Sequence, residues 1–162
     1  VGNPIETAIR METDAIVFYG EAERKCSSPY GKKMFEMMVK EEQAHLEMLK
    51  NFFGLDHIRM REQSFTAEVK TVFHTMRPEM MARVEASTDE LEALKIGMEM
   101  ESAGKKYYDE QAASATDDRE RALFERLSSD EEAHYRIFAD SFSFLSDNND
   151  WNLWEERAIY EG

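Results

Sequence analysis

The chain writes one four-residue motif twice, as Glu42-Gln-Ala-His45 and Glu131-Glu-Ala-His134. The copies lie 89 residues apart (131 minus 42), and the same ungapped offset superposes much of the surrounding sequence. It places Met11-Glu12 on Met100-Glu101, Tyr19 on Tyr108, Glu21 on Glu110, Phe35-Glu36 on Phe124-Glu125 and Phe53 on Phe142. A Glu three residues before a His means little alone in a chain with 34 acidic residues. Two such pairs in one register, each preceded by a matching Glu in an earlier segment, mean much more. Four carboxylates and two imidazoles related by an internal repeat point to a two-metal site inside a helical bundle.

The spacing carries the chemistry. On a helix, positions i and i+3 lie on one face about a turn apart, so Glu42 and His45 can reach one metal site together. Glu131 and His134 do the same from the related helix, and Glu12 and Glu101 fall in the apolar stripes of theirs. Each unpaired buried carboxylate would cost roughly several kcal/mol. Two divalent cations balance four carboxylates, and neutral imidazoles add no charge. Mixed oxygen and imidazole donors suit iron or manganese better than a thiolate-seeking metal. Without a metal, the same residues would be surface glutamates and partly buried histidines. The register shared by all six weighs against that.

Turn signals divide the rest of the chain. The first helix is expected from about Pro4 to Cys26, with Ile5, Ala8, Glu12, Ile16, Tyr19 and Glu23 on one face. Ser27-Ser28-Pro29-Tyr30-Gly31 breaks it. The second runs from about Lys32 to Phe53, with Phe35, Met38, Glu42, His45 or Leu46, and Leu49 inward and Gly54 as C-cap. A less regular crossover follows, about residues 55–87, with room for one or two short helices, Pro78 opening the second. The third helix starts from a cap at Ser87, Thr88 or Asp89 and carries Leu94, Met98, Glu101 and Tyr108. Thr116-Asp117 ends it and caps the fourth, which turns Leu123, Leu127, Glu131, His134, Phe138 and Phe142 inward. Short, long, short connections give two antiparallel hairpins joined by a crossover, the all-α layout of a ferritin-like four-helix bundle. Residues 1–146 form this bundle, and 147–162 form an aromatic tail with Trp151 and Trp154 that packs on it or on a partner subunit.

Composition narrows the function. A formal charge of −14 disfavours phosphate backbones and anionic membranes as partners. No apolar run approaches membrane-spanning length. The single cysteine, Cys26, excludes an internal disulfide and any cysteine-ligated iron centre within these residues, and fits a reducing cytoplasm. The sequence begins at Val1 rather than Met, which leaves a removed leader open.

With the two Glu-x-x-His motifs, Met11-Glu12 through Phe18-Tyr19, and Met100-Glu101 through Tyr107-Tyr108, the chain resembles the rubrerythrin-like branch of the ferritin-like superfamily over nearly the whole bundle. The resemblance implies a carboxylate-bridged di-iron centre. Glu12 and Glu101 would be terminal ligands, Glu42 and Glu131 bridging ligands, with His45 on one iron and His134 on the other. The sequence departs from full rubrerythrins in lacking a cysteine-ligated electron-transfer domain. It also has Gly104 one turn after Glu101, where rubrerythrins place an extra glutamate ligand. A more symmetric centre follows, with a weaker case for peroxidase activity.

Other residues take plainer roles. Tyr19 and Tyr108, two turns after Glu12 and Glu101, can hydrogen-bond ligating carboxylates, join redox chemistry, or simply pack. Glu21 and Glu110 fall off the ligand faces and read as solvated. Glu41 and Glu132 neighbour the motif glutamates but point about a hundred degrees away on an ideal helix, outside the site. His57 and His74 have no repeat partner, and the eleven methionines are mostly core filling.

Three functions fit. The first is a di-iron oxidoreductase reducing hydrogen peroxide or dioxygen, re-reduced by an external donor such as a rubredoxin-type protein and assembled as a homodimer. The second is a ferroxidase or iron-storage subunit on the same centre. The third is a non-catalytic, metal-binding helical interaction module.

Overall fold

Asn3 starts the first helix, its Oδ1 accepting from the Ile5 amide at 2.9 Å, and Pro4 supplies a first-turn residue with no amide to satisfy. In the computed structural model, which describes residues 3–27, 29–53 and 90–148, helix α1 spans Pro4–Lys25. Arg24 and Lys25 in its last turn meet the negative end of the helix dipole. Helix α2 spans Pro29–Phe53, beginning at Pro29 rather than near Lys32. Proline is favoured at a helix start for the same reason as Pro4, so Pro29-Tyr30-Gly31 joins the first turn instead of breaking the chain. Helix α3 spans Glu90–Ser114 and helix α4 spans Asp118–Asn148. Between them Asp117 caps α4 through its Oδ1, which accepts from the Arg119 amide at 2.8 Å. The caps at 87–89, the crossover with Pro78, His57 and His74, and the tail from 149 with Trp151 and Trp154 lie outside the described residues.

Side-chain pairings fix the directions. Tyr19 reaches Glu101 and Tyr107 reaches the Pro4 carbonyl, so α1 and α3 are antiparallel. Ser141 meets Met34 while His45 meets Asp130, so α2 and α4 are antiparallel as well. With α1 and α2 forming one hairpin, α2 and α3 run parallel. The start of α3, where Glu90 accepts from Ser27 at 2.7 Å, therefore lies at the opposite end of the bundle from the end of α2. Only a bundle with one long crossover has this order.

Two apolar clusters fill the interior. One holds Phe18, Tyr19, Phe35, Met38, Met100 and Phe138, and the other holds Ile5, Ala8, Leu49, Tyr108, Phe124 and Leu127. The core face of α1 is Met11, Ala15, Phe18 and Ala22 as much as Ile5, Ala8 and Tyr19, while Ile16 and Glu23 are only half-buried. The difference arises because α1 packs against both α2 and α3, which swings its buried arc off a single stripe. Between the clusters, every helix contributes a charged or polar residue at the same height. Among the described residues, no helix is long and apolar enough to cross a membrane.

Candidate metal centre

That middle layer consists of Glu12 from α1, Glu42 and His45 from α2, Glu101 from α3, and Glu131 and His134 from α4, all buried. The apolar residues above and below each one explain why the helices cannot turn these groups outward. Rotating α2 to expose Glu42 would also expose Met38 and Leu49, at about 1.5–3 kcal/mol each. The repeat expected from sequence is visible as a pseudo-twofold about this layer. Tyr19 of α1 donates to Glu101 Oε1 across the bundle, and Tyr108 of α3 donates to Glu12 Oε1 in return.

The imidazoles meet at the middle, stacked with ring centroids 5.3 Å apart. His45 Nδ1 lies 3.0 Å from Glu42 Oε2, 3.3 Å from Glu131 Oε1 and 3.7 Å from Glu12 Oε1. His134 Nδ1 lies 3.3 Å from Glu42 Oε1 and 3.4 Å from Glu101 Oε2. Glu42, His45, Glu131 and His134 each offer one ligand atom, and these four atoms all fall within 4.8 Å of one another. Glu12 meets this quartet at His45 and Glu101 meets it at His134. All six residues singled out in the sequence thus share one layer, and both Nδ1 atoms face into it.

The electrostatics show a group of donors short of cations. Burial pushes the Glu42 and Glu131 carboxyls well above the usual carboxylate range, and the Glu101 carboxylate beside them adds to the effect. Burial works the same way on Glu12, but hydrogen bonds with His45 and Glu42 outweigh it and hold this carboxyl low. The histidines go the other way. Burial disfavours their charged form, yet contacts with Glu12, Glu131 and Glu42 hold His45 far above an ordinary imidazole. Contacts with Glu101 and Glu42 likewise push His134 up to about 10. Burial, then the charges on Glu101 and Glu12, raise the Tyr19 and Tyr108 phenols well above their usual range, so both remain donors. Even so, Glu42 Oε1, Glu101 Oε2, Glu131 Oε1 and His134 Nδ1 are buried without a hydrogen-bond partner. Orphaned oxygens and an imidazole nitrogen converging on one point are what a bound cation would satisfy.

Gly104 serves this arrangement. A Cβ there would overlap Glu131 Oε2 and stand 3.3 Å from its Cδ, so the missing side chain makes room for the Glu131 carboxylate. The space that an additional glutamate would occupy is used by an existing one.

Two acids escaped the sequence reading. His45 Nε2 lies 3.3 Å from Asp130 Oδ2, and His134 Nε2 lies 3.6 Å from Glu41 Oε2. Helical spacing alone places Glu41 outside the site, because its position on α2 points away from the ligand face. It does point away from the layer, but toward the outer edge of the α4 imidazole. The 89-residue offset pairs Glu41 with Asp130 (130 minus 41), and that was the available signal. Glu132 faces outward to Arg136 at 2.7 Å, and Glu21 to Arg24 at 2.6 Å, as expected of solvated residues.

The chain matches no curated protein. Among solved structures it is similar to a two-domain protein from Anabaena variabilis containing DJ-1/ThiJ/PfpI-like and ferritin-like domains, with 16% identity and a TM-score of 0.64. That match covers 87% of this chain and 38% of the other, and it shows a shared fold, the ferritin-like four-helix bundle. The Rubrerythrin family model matches residues 3–141, which takes in the first three helices, the fourth as far as Ser141 and every residue of the buried layer, and the chain belongs to the rubrerythrin family.

Proposed function

We propose that this chain is a di-iron oxidoreductase that reduces hydrogen peroxide, with dioxygen as a slower oxidant. The observation that carries the reading is the buried layer itself: six ligand-type side chains, four of their polar atoms orphaned, sealed between two apolar clusters. Glu42 and Glu131 would bridge the ions, Glu12 and Glu101 would hold the outer positions, and His45 and His134 would take one ion each. Manganese fits the same donors. When bound, a diferrous pair supplies the two electrons and the Lewis acidity that peroxide reduction needs.

The chain's own residues supply the rest. Tyr19 holds Glu101 Oε1, which leaves Oε2 facing His134 Nδ1 in the layer, and Tyr108 holds Glu12 Oε1 on the side of His45. Phe35, Phe138, Phe124 and Leu127 close both ends against water. The raised values of His45, His134, Glu42 and Glu131 favour their protonated forms in the metal-free protein, and a proton on a ligand atom must leave before that atom can hold a metal. Reduction of one peroxide to two waters consumes two electrons and two protons. An external one-electron donor of the rubredoxin type would restore the electrons, and a cytoplasmic homodimer is the expected setting.

Gly104 favours a second reading. Without the extra carboxylate that rubrerythrins carry at this point, the two halves of the centre are more alike, which leaves ferroxidase activity open. Anaerobic loading with two equivalents of ferrous iron, then stopped-flow mixing with peroxide or with air-saturated buffer, separates the two. Faster two-electron oxidation by peroxide, with iron retained, supports the proposal. Faster oxidation by dioxygen, with mineral accumulating in a large particle, replaces it by ferroxidase. An iron spectrum unchanged by either oxidant leaves a non-catalytic metal-binding bundle.

A further inference from the structure

The pseudo-twofold that relates the six layer residues fails one step further out. Both imidazoles turn Nδ1 inward and Nε2 toward an acid on the opposite helix, one residue before that helix's motif glutamate. For His45 this acid is Asp130, at 3.3 Å and 26% exposed. Arg126, one turn earlier on α4, grips Asp130 from behind, with Nε 3.1 and 2.9 Å from its two oxygens. For His134 the acid is Glu41, at 3.6 Å, beyond hydrogen-bond range, and 56% exposed. The offset puts Met37 where Arg126 stands (126 minus 89), and among the described residues Glu41 has no cationic side chain apart from the His134 ring. One imidazole is therefore backed by a short, clamped acid and the other by a long, solvated one.

An imidazole that donates Nε2–H to a fixed acceptor has its ring orientation set and its Nδ1 lone pair presented to a metal. Removing such an outer partner typically costs 10–100-fold in metal affinity. We infer that the two half-sites are unequal and fill in order, the His45 half first, with Asp130 and Glu41 as positioning residues and the Arg126–Asp130 pair setting the difference. This rests on the metal-centre reading above, but not on the choice of oxidant.

Anaerobic titration of the full chain with cobalt(II), followed by calorimetry and by the visible ligand-field bands of the ion, tests it. Wild type should take up two cobalt ions in two resolved steps. Asp130→Asn should weaken the first step by about 10–100-fold. Glu41→Gln should leave the first step alone and weaken the second by less than tenfold, while Met37→Arg should tighten the second toward the first. Glu132→Gln, one residue past the motif glutamate and turned outward, should change neither. Two ions entering wild type in one indistinguishable step, or Asp130→Asn and Glu41→Gln weakening the same step equally, overturns the inference while leaving the centre standing. A wild-type chain that takes up no cobalt overturns both.

Discussion

Gly104→Ala separates the stability of the bundle from the geometry of its centre. The new Cβ would overlap Glu131 Oε2, so the carboxylate has to retreat by about 1 Å to reach ordinary contact distance. Two terms then oppose each other in the metal-free protein. Replacing glycine by alanine inside a helix gains about 1 kcal/mol. Overpacking a tight interior costs roughly 1–3 kcal/mol, at the low end here because the atom that must move is the far end of a flexible side chain. The metal-free variant should therefore lie within about 2 kcal/mol of wild type, while displacement of a bridging carboxylate weakens metal binding by about 10–100-fold, or roughly 1.4–2.7 kcal/mol. Urea unfolding in chelator reads the first quantity, and anaerobic ferrous titration reads the second. Ala15, the residue 89 positions earlier, is the control. A Cβ is already accommodated there, so Ala15→Gly should lose about 1 kcal/mol of stability and leave metal affinity intact. A Gly104→Ala protein that binds two metals as tightly as wild type refutes the role given to Glu131. One that loses far more than 3 kcal/mol in chelator shows that the carboxylate cannot move.

Tyr19→Phe or Tyr108→Phe leaves a buried oxygen of Glu101 or Glu12 without its donor, and each should cost about 1–3 kcal/mol of metal-free stability by urea unfolding. The metal-free protein should lose stability as pH rises from about 6.5 toward 10. Glu42, Glu131, His45 and His134 all have folded values above their unfolded ones, so the stabilisation is complete below the unfolded values and disappears as pH climbs through the folded ones, for His134 about 10. Thermal melts in chelator check this, and a melting temperature flat or rising across that window contradicts it. Metal affinity should move oppositely, strengthening with pH because binding expels those protons. Glu42→Ala or Glu131→Ala should remove both irons by elemental analysis, His45→Ala or His134→Ala mainly one, and His57→Ala neither.

The layer was legible in sequence because it is repeated. One register fixed Glu12, Glu42, His45, Glu101, Glu131 and His134 together, whereas any single Glu-x-x-His would have been ambiguous. Asp117 was equally plain, since a cap leaves a local trace. What helical periodicity handled badly was direction within the buried arc. A stripe assumes one neighbour, and α1 has two, so Ile16 and Glu23 were placed too deep and Met11 and Phe18 were left out. Glu41 was misplaced for a related reason. Distance from its own helix's ligand face says nothing of a ring arriving from another helix, and only the tertiary contact with His134 decides it. Pro29 shows a third kind of error, in which a residue read as part of a break is the first residue of the next helix.

The position of the layer within the bundle bears on how the fold tolerates it. Six buried ionisable groups would be a heavy burden if spread through the core, since each would disrupt packing on its own. Gathered at one height, they contact one another, and the apolar clusters above and below remain uninterrupted. The tyrosines sit at the boundaries, with rings in the clusters and hydroxyls on the outer carboxylates, so polar and apolar regions meet without further orphaned atoms at those two edges. In the layer, Glu42 Oε1 and Glu101 Oε2 face His134 Nδ1, and Glu131 Oε1 faces His45 Nδ1. Repacking the apolar clusters cannot satisfy them, because each would need a polar partner or a cation at the centre of the layer. A small cation at that point would satisfy the carboxylate oxygens and, once its proton has left, the imidazole nitrogen. That is why chelation should weaken this protein at the middle of the bundle rather than at its ends.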